Sequence, residues 1–194
     1  MGAPLPDNPA LAFPPAAAVM NSPAFLPSQV RLRALAPSDL GDLLAVQRVC
    51  YGPRFVESAE VFARRLASPA NCSLVLEQGG RVCAYLAAYC SVLGKVTPLH
   101  GDFDAAAPVD TLYLHDMAVL PHCAGQGVAQ ALLQAVWAQA AAQGLRHSAL
   151  VSVQDSQAFW ARRGYAPHLL ADAVQRERLA SYGDGAAYMA RALP

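Results

Sequence analysis

The stretch HCAGQGVAQALL, residues 122–133, sets two glycines one residue apart at the mouth of an apolar pattern with helical spacing. Glycine costs a helix roughly 1 kcal/mol against alanine, so its use twice here asks for a local reason. Upstream, TLYLHDMAVLP (residues 111–121) alternates as a strand and is stopped by Pro121. Downstream, Val128, Leu132, Val136 and Ala140 recur at four-residue steps with Leu133 and Trp137 alongside, and Gln126, Gln130 and Gln134 share a polar face. Residues 125–143 therefore read as an amphipathic helix, ended by Gly144. A strand, a glycine turn and a helix N-terminus together can hold an anion, because the first N–H groups of a helix lack partners and carry roughly half a positive charge. Glycine removes the β-carbons that would keep a pyrophosphate away from those donors. Taken alone, a plain tight turn explains the same residues.

Working outward, residues 30–35 (VRLRAL) alternate as a first strand, and Pro37-Ser38-Asp39 opens a helix carrying Leu40, Leu43, Leu44, Val46 and Val49. A second helix covers residues 58–66. CSLVLEQ and RVCAYLAAYCSVL flank Gly79-Gly80 and form a hairpin. Residues 94–110, rich in Gly, Pro and Asp, read as a loop longer than most connections, a kind that often serves function. After the glycine helix come a strand (HSALVSV), a short helix opened by an Asp155 cap (DSQAFWARR) and a strand (YAPHL). An irregular stretch over residues 171–180 and a closing strand (AAYMARAL) complete the chain. The order is β-α-α-β-β-β-α-β-α-β-β, an α/β chain without internal repeats.

The 194 residues are sufficient for one domain with a large core, and 55% hydrophobic composition is on the apolar side. Lys+Arg and Asp+Glu both number 14, and no basic run points to nucleic acid or an anionic membrane. No apolar run approaches the roughly 20 residues that span a bilayer. Residues 1–29 read as a Pro/Ala-rich tail, expected to be flexible and without the basic start of a signal peptide, and the domain is expected to run over residues 30–194. The five cysteines form no CxxC pair, which fits reduced thiols in a cytoplasmic protein. The histidines have no metal-ligand spacing, so no metal is expected.

Three segments in order, YLHDMAVLP, HCAGQGVAQALL and SQAFWARRGY, resemble the GNAT superfamily of acyl-CoA N-acyltransferases over about residues 30–193. The family loop, Arg/Gln-x-x-Gly-x-Gly/Ala, falls on Ala124, Gly125, Gln126, Gly127, Val128 and Ala129, and its downstream aromatic pair and Gly–aromatic fall on Phe159-Trp160 and Gly164-Tyr165. The resemblance implies a central mixed, mostly antiparallel sheet, splayed at the cofactor-binding strands, with helices on both faces. It implies acetyl-CoA as cosubstrate. Backbone at Met117, Ala118 and Val119 would hold the pantetheine arm like an added strand, and Gly125, Gln126, Gly127, Val128, Ala129 and Gln130 would hold the phosphates. Two departures stand out: Ala124 replaces the loop's Arg/Gln, and Trp160 replaces the tyrosine that usually protonates the leaving thiolate. The family's pantetheine-contacting Asn is also missing, with Ser156 or Gln154 as substitutes.

The acceptor chemistry needs a base, because an amine of pKa about 10.4 is neutral in about one molecule per few thousand at pH 7, a cost of about 4–5 kcal/mol. Tyr113 and His115 lie two apart in the strand and share a face. The run Tyr113-Leu114-His115 resembles the His-Leu-His of aralkylamine N-acetyltransferases, which implies His115 as the base with Tyr113 as relay. A structural histidine and a core tyrosine are the competing explanations. Asp116 would bind a cationic substrate or cap a bulge. Glu57 and Glu60 would line the acceptor side or face solvent, and Cys123 is a spare thiol. The expected activity is acetyl transfer from acetyl-CoA to the primary amine of a small molecule. A protein or peptide acceptor, or a non-catalytic acyl-CoA-binding module, stands as the alternative. The sequence leaves the oligomeric state open.

Overall fold

The computed structural model of the chain describes residues 30–104 and 106–194, so the expected tail lies outside the described residues. In chain order the elements are β1 (Val30–Ala34), α1 (Leu40–Cys50), α2 (Ala59–Ala67), β2 (Leu74–Gln78), β3 (Arg81–Ser91), β4 (Thr111–Val119), α3 (Val128–Ala142), β5 (His147–Ser152), α4 (Gln157–Ala161), β6 (Ala166–Pro167), α5 (Ala173–Ala180) and β7 (Ala187–Ala192). The seven strands form one sheet in the order β1-β2-β3-β4-β5-β7-β6. Every pairing is antiparallel except β4 with β5. β3 is buried at every position from Val82 to Ser91. A strand buried on both faces needs cover on both, and α1 and α3 each pack against β3 and β4.

The parallel pair positions the site. β4 and β5 are in register only from Thr111–His147 to Leu114–Leu150. Past that point β4 stays with β3, whereas β5 follows β7 to the Ser152–Ala187 pair, so the sheet opens like a V. A bulge helps to set the divergence: Ala87 pairs with Asp116 and Ala88 with Leu114, leaving His115 as the extra residue. Such an insertion bends a strand and re-aims its side chains.

Several local expectations are corrected. Residues 171–180, read as irregular, contain α5, whose Asp172 side chain caps it by accepting from Gln175 N at 3.1 Å. It is only eight residues long and none of them is buried, so its apolar residues are too few to set a readable period. Asp155 does not cap α4; it sits in left-handed backbone (φ 57°), and Ser156 takes the cap position without a side-chain cap bond. The strand expected at YAPHL shrinks to Ala166–Pro167. The glycine helix begins at Val128 with Gly127 as its cap, rather than at Gly125.

Candidate active site

The V between β4 and β5 opens into a cleft of about 240 Å³ whose wall includes Tyr51, His115, Asp116, Met117, Ser156 and Trp160. At its edge the backbone of β4 is unpaired on one side. Leu120 N–H donates to Cys83 O on the β3 side (2.9 Å). By the alternation of an antiparallel ladder, the N–H and C=O groups of Met117 and Val119 therefore point the other way, toward the splay. Their carbonyls accept from α1 and its C-cap: Tyr51 Oη donates to Met117 O at 2.8 Å and Cys50 Sγ to Val119 O at 3.3 Å. Ala118 faces β3 in the same alternation.

From the end of β4 a short turn, Pro121–Cys123, leads into the glycine loop. Gly125 and Gly127 both hold left-handed backbone (φ 77° and 79°), the conformation that excludes most side chains. That answers why two glycines stand here. The first intrahelical bond of α3 is Ala131 N to Gly127 O, so the N–H groups of Val128, Ala129 and Gln130 precede the ladder. Gln126 turns its amide back onto His122 O at 2.7 Å, and a Cβ on Gly125 would meet open space. The loop thus presents backbone donors to solvent, as a pyrophosphate cradle requires. Cys123 beside it is buried, its thiol on Gln78 Oε1.

His115 is held from below. Its Nε2 lies 3.3 and 3.5 Å from the two carboxylate oxygens of Glu57, and both side chains are about 2% exposed. Phe103 packs against the imidazole edge-on at 5.7 Å. The Nδ1 atom has no hydrogen-bond partner. Nε2 therefore carries the proton that Glu57 accepts, and Nδ1 keeps a free lone pair.

Glu57 was legible in sequence only as one of two acidic residues on the acceptor side. In the fold it is the centre of a buried network. Arg65 of α2 grips it through both Nη atoms, the Nη2 contact at 2.7 Å, and His100 N–H donates to it at 2.7 Å. Arg65 also donates to Gly101 O and stacks under Phe103 (4.9 Å). Burial pushes the Glu57 carboxyl up, but His115 and Arg65 together outweigh it and hold the group well below the usual carboxylate range. A carboxylate held that low is a poor base and a permanent counter-charge for an imidazolium. Glu60 is exposed, as a solvated face requires.

Asp116, next along the bulge, accepts from Tyr85 Oη and faces Gln47 Nε2 at 3.5 Å. Burial raises its pKa, against the neighbouring Tyr51 and Tyr85 hydroxyls, which lower it. Tyr113 stays out of the cleft. Its ring packs among Tyr89 (5.3 Å), Tyr188 (6.5 Å) and His115 (6.4 Å) in the interior. Ser156 reaches the cleft wall, with its hydroxyl on Val153 O and Ser152 Oγ. Tyr51 and Tyr85 were not singled out in sequence, because nothing local tells an α1-end tyrosine from a packing residue.

Residues 40–165 match the model of the acetyltransferase (GNAT) family, and the chain belongs to that family. Solved structures agree on the fold. The ribosomal-protein-S18-alanine N-acetyltransferase of Escherichia coli is 18% identical with TM-score 0.63, over 84% of this chain and 94% of that one. The GphF GNAT-like decarboxylase, solved with isobutyryl-CoA, is 19% identical with TM-score 0.65, over 84% and 100%. The N-acetylglutamate synthase of Neisseria gonorrhoeae, solved with coenzyme A and N-acetyl-glutamate, is 17% identical with TM-score 0.64, over 87% and 36%. No curated protein matches the sequence. Among the described residues, no cluster of three His, Cys, Asp or Glu side chains could hold a metal, and no helix is long and apolar enough to cross a membrane.

Proposed function

We propose that this chain is an acetyl-CoA-dependent N-acetyltransferase acting on the primary amine of a small molecule, with His115 as the base. The observation that carries the reading is the state of His115, a residue of the cleft wall: Nε2 is held by a buried carboxylate, and Nδ1 is buried without a hydrogen-bond partner. A binding module has no use for a base wired in this way. Coenzyme A fits the chain's own groups. Gly125, Gln126, Gly127, Val128, Ala129 and Gln130 offer backbone donors for the pyrophosphate, and the edge at Met117 and Val119, which joins no neighbouring strand, suits the pantetheine amides. Ser156 lies on the opposite wall. When bound, acetyl-CoA supplies the activated acyl group.

His115 takes the ammonium proton once the acceptor or a water gains access to its buried Nδ1, while Glu57 stabilises the imidazolium and fixes its tautomer. The amine then attacks the acyl carbon directly. Tyr113 packs behind the imidazole as a positioning residue. A small acceptor is favoured by the loop of residues 94–110, which is tied down over α2. Besides the His100 and Gly101 contacts, Arg64 pairs with Asp102 (2.9 Å) and Ser68 Oγ donates to Phe103 O (2.5 Å). The test is release of free thiol from acetyl-CoA across a panel of small amines and N-terminal peptides. Turnover with small amines is expected. Turnover with peptides alone would overturn the acceptor class, and none with any amine would overturn the activity.

A further inference from the structure

Resting on that reading, we propose that Tyr51 is a further catalytic residue, whose hydroxyl donates a hydrogen bond to the thiolate as it departs. The amine loses its proton to His115, so the second charge to manage in the reaction is the one that grows on sulfur. The cleft offers few donors for it. Only Tyr51 and Ser156 bring hydroxyls to its wall, and Ser156 is spent on Val153 O and Ser152. Trp160, on the α4 side, has no hydroxyl. Tyr51 Oη lies 2.8 Å from Met117 O, on the edge of β4 where the reacting end of an extended thioester arm would run. Rotation about the C–O bond would turn the phenol hydrogen from that carbonyl toward an acceptor in the cleft, whose wall Tyr51 lines.

The balance is simple. The C–S bond breaks, its electron pair goes to sulfur, and Tyr51 stabilises the anion without surrendering its own proton. The thiolate, with an ordinary thiol pKa about 8.5, then leaves or is protonated by water. Burial and the Asp116 charge push the Tyr51 phenol well above its ordinary value, so it keeps its hydrogen at working pH.

Two replacements at one position test this, using the full chain. Tyr51→Phe is expected to keep coenzyme A affinity by calorimetry while kcat falls about 10²-fold, the loss typical of one such donor. Incorporating difluorotyrosine at position 51, which makes the phenol more acidic, should bring a descending alkaline limb of kcat to lower pH, because an ionised phenol cannot donate. Tyr51→Phe turning over at the wild-type rate overturns the proposal. So does an alkaline limb that ignores fluorination, which would mark Tyr51 as merely holding β4. A wild-type chain that releases no thiol with any amine refutes the acetyltransferase reading instead.

Discussion

His115 gains its meaning from what its two nitrogens meet. With Nε2 on Glu57, deleting the imidazole removes the proton acceptor but leaves the cleft wall in place. His115→Phe is therefore expected to retain the fold and coenzyme A affinity and to lose roughly 10²–10⁴-fold in kcat/KM for amines. The defect should shrink as pH rises, because more of the amine arrives neutral. A variant with the wild-type rate at neutral pH would make His115 a structural residue. Tyr113→Phe is expected to cost much less, since its ring lies behind the imidazole and away from the cleft.

The glycine loop and α3 were readable because their signals are local: a strand stop at Pro121, two glycines, then an unbroken apolar period. The Gly79-Gly80 hairpin was readable for the same reason. Other features depend on distant partners and were not. Glu57 is defined by Arg65, His100 and His115, which one loop and two further elements bring together, and the bulge at His115 exists only against β3. α5 is short and buries no residue fully, so no apolar periodicity announced it. The loop yields its own prediction. Gly127→Glu forces a side chain into left-handed backbone and puts a like charge beside the phosphates, so calorimetry should show coenzyme A binding weakened at least tenfold, about 1.4 kcal/mol. Gly127→Ala, which carries the strain alone, should weaken it less. Equal losses in the two would remove charge, and with it the phosphate, from the assignment. Ala124→Arg should tighten binding through a charge-assisted contact.

At the scale of the molecule, two expectations concern what the domain can lose. Residues 1–29 are rich in Pro and Ala and show no helix or strand periodicity, so a chain starting at Pro27 is expected to match the full chain in Tm and coenzyme A affinity. A large drop in either would show that the segment packs on the domain. The Glu57–Arg65–His115 network is the opposite case, because it joins α2, β4 and the loop of residues 94–110. The folded Glu57 carboxyl titrates below its unfolded value. Its stabilisation is therefore complete above about pH 4.3, the ordinary glutamate value, and is withdrawn as pH falls through the folded value. Glu57→Gln leaves the Arg65 guanidinium buried without a counter-charge and is expected to cost about 3–5 kcal/mol near neutral pH. The gap between variant and wild type in urea-unfolding free energy should stay level from about pH 7 to about 4.3 and narrow as pH is lowered further toward 3, where the unfolded chain's Glu57 takes up its proton first. A gap that stays constant below about pH 4.3 as well would show that the carboxylate's charge contributes nothing to holding these elements together.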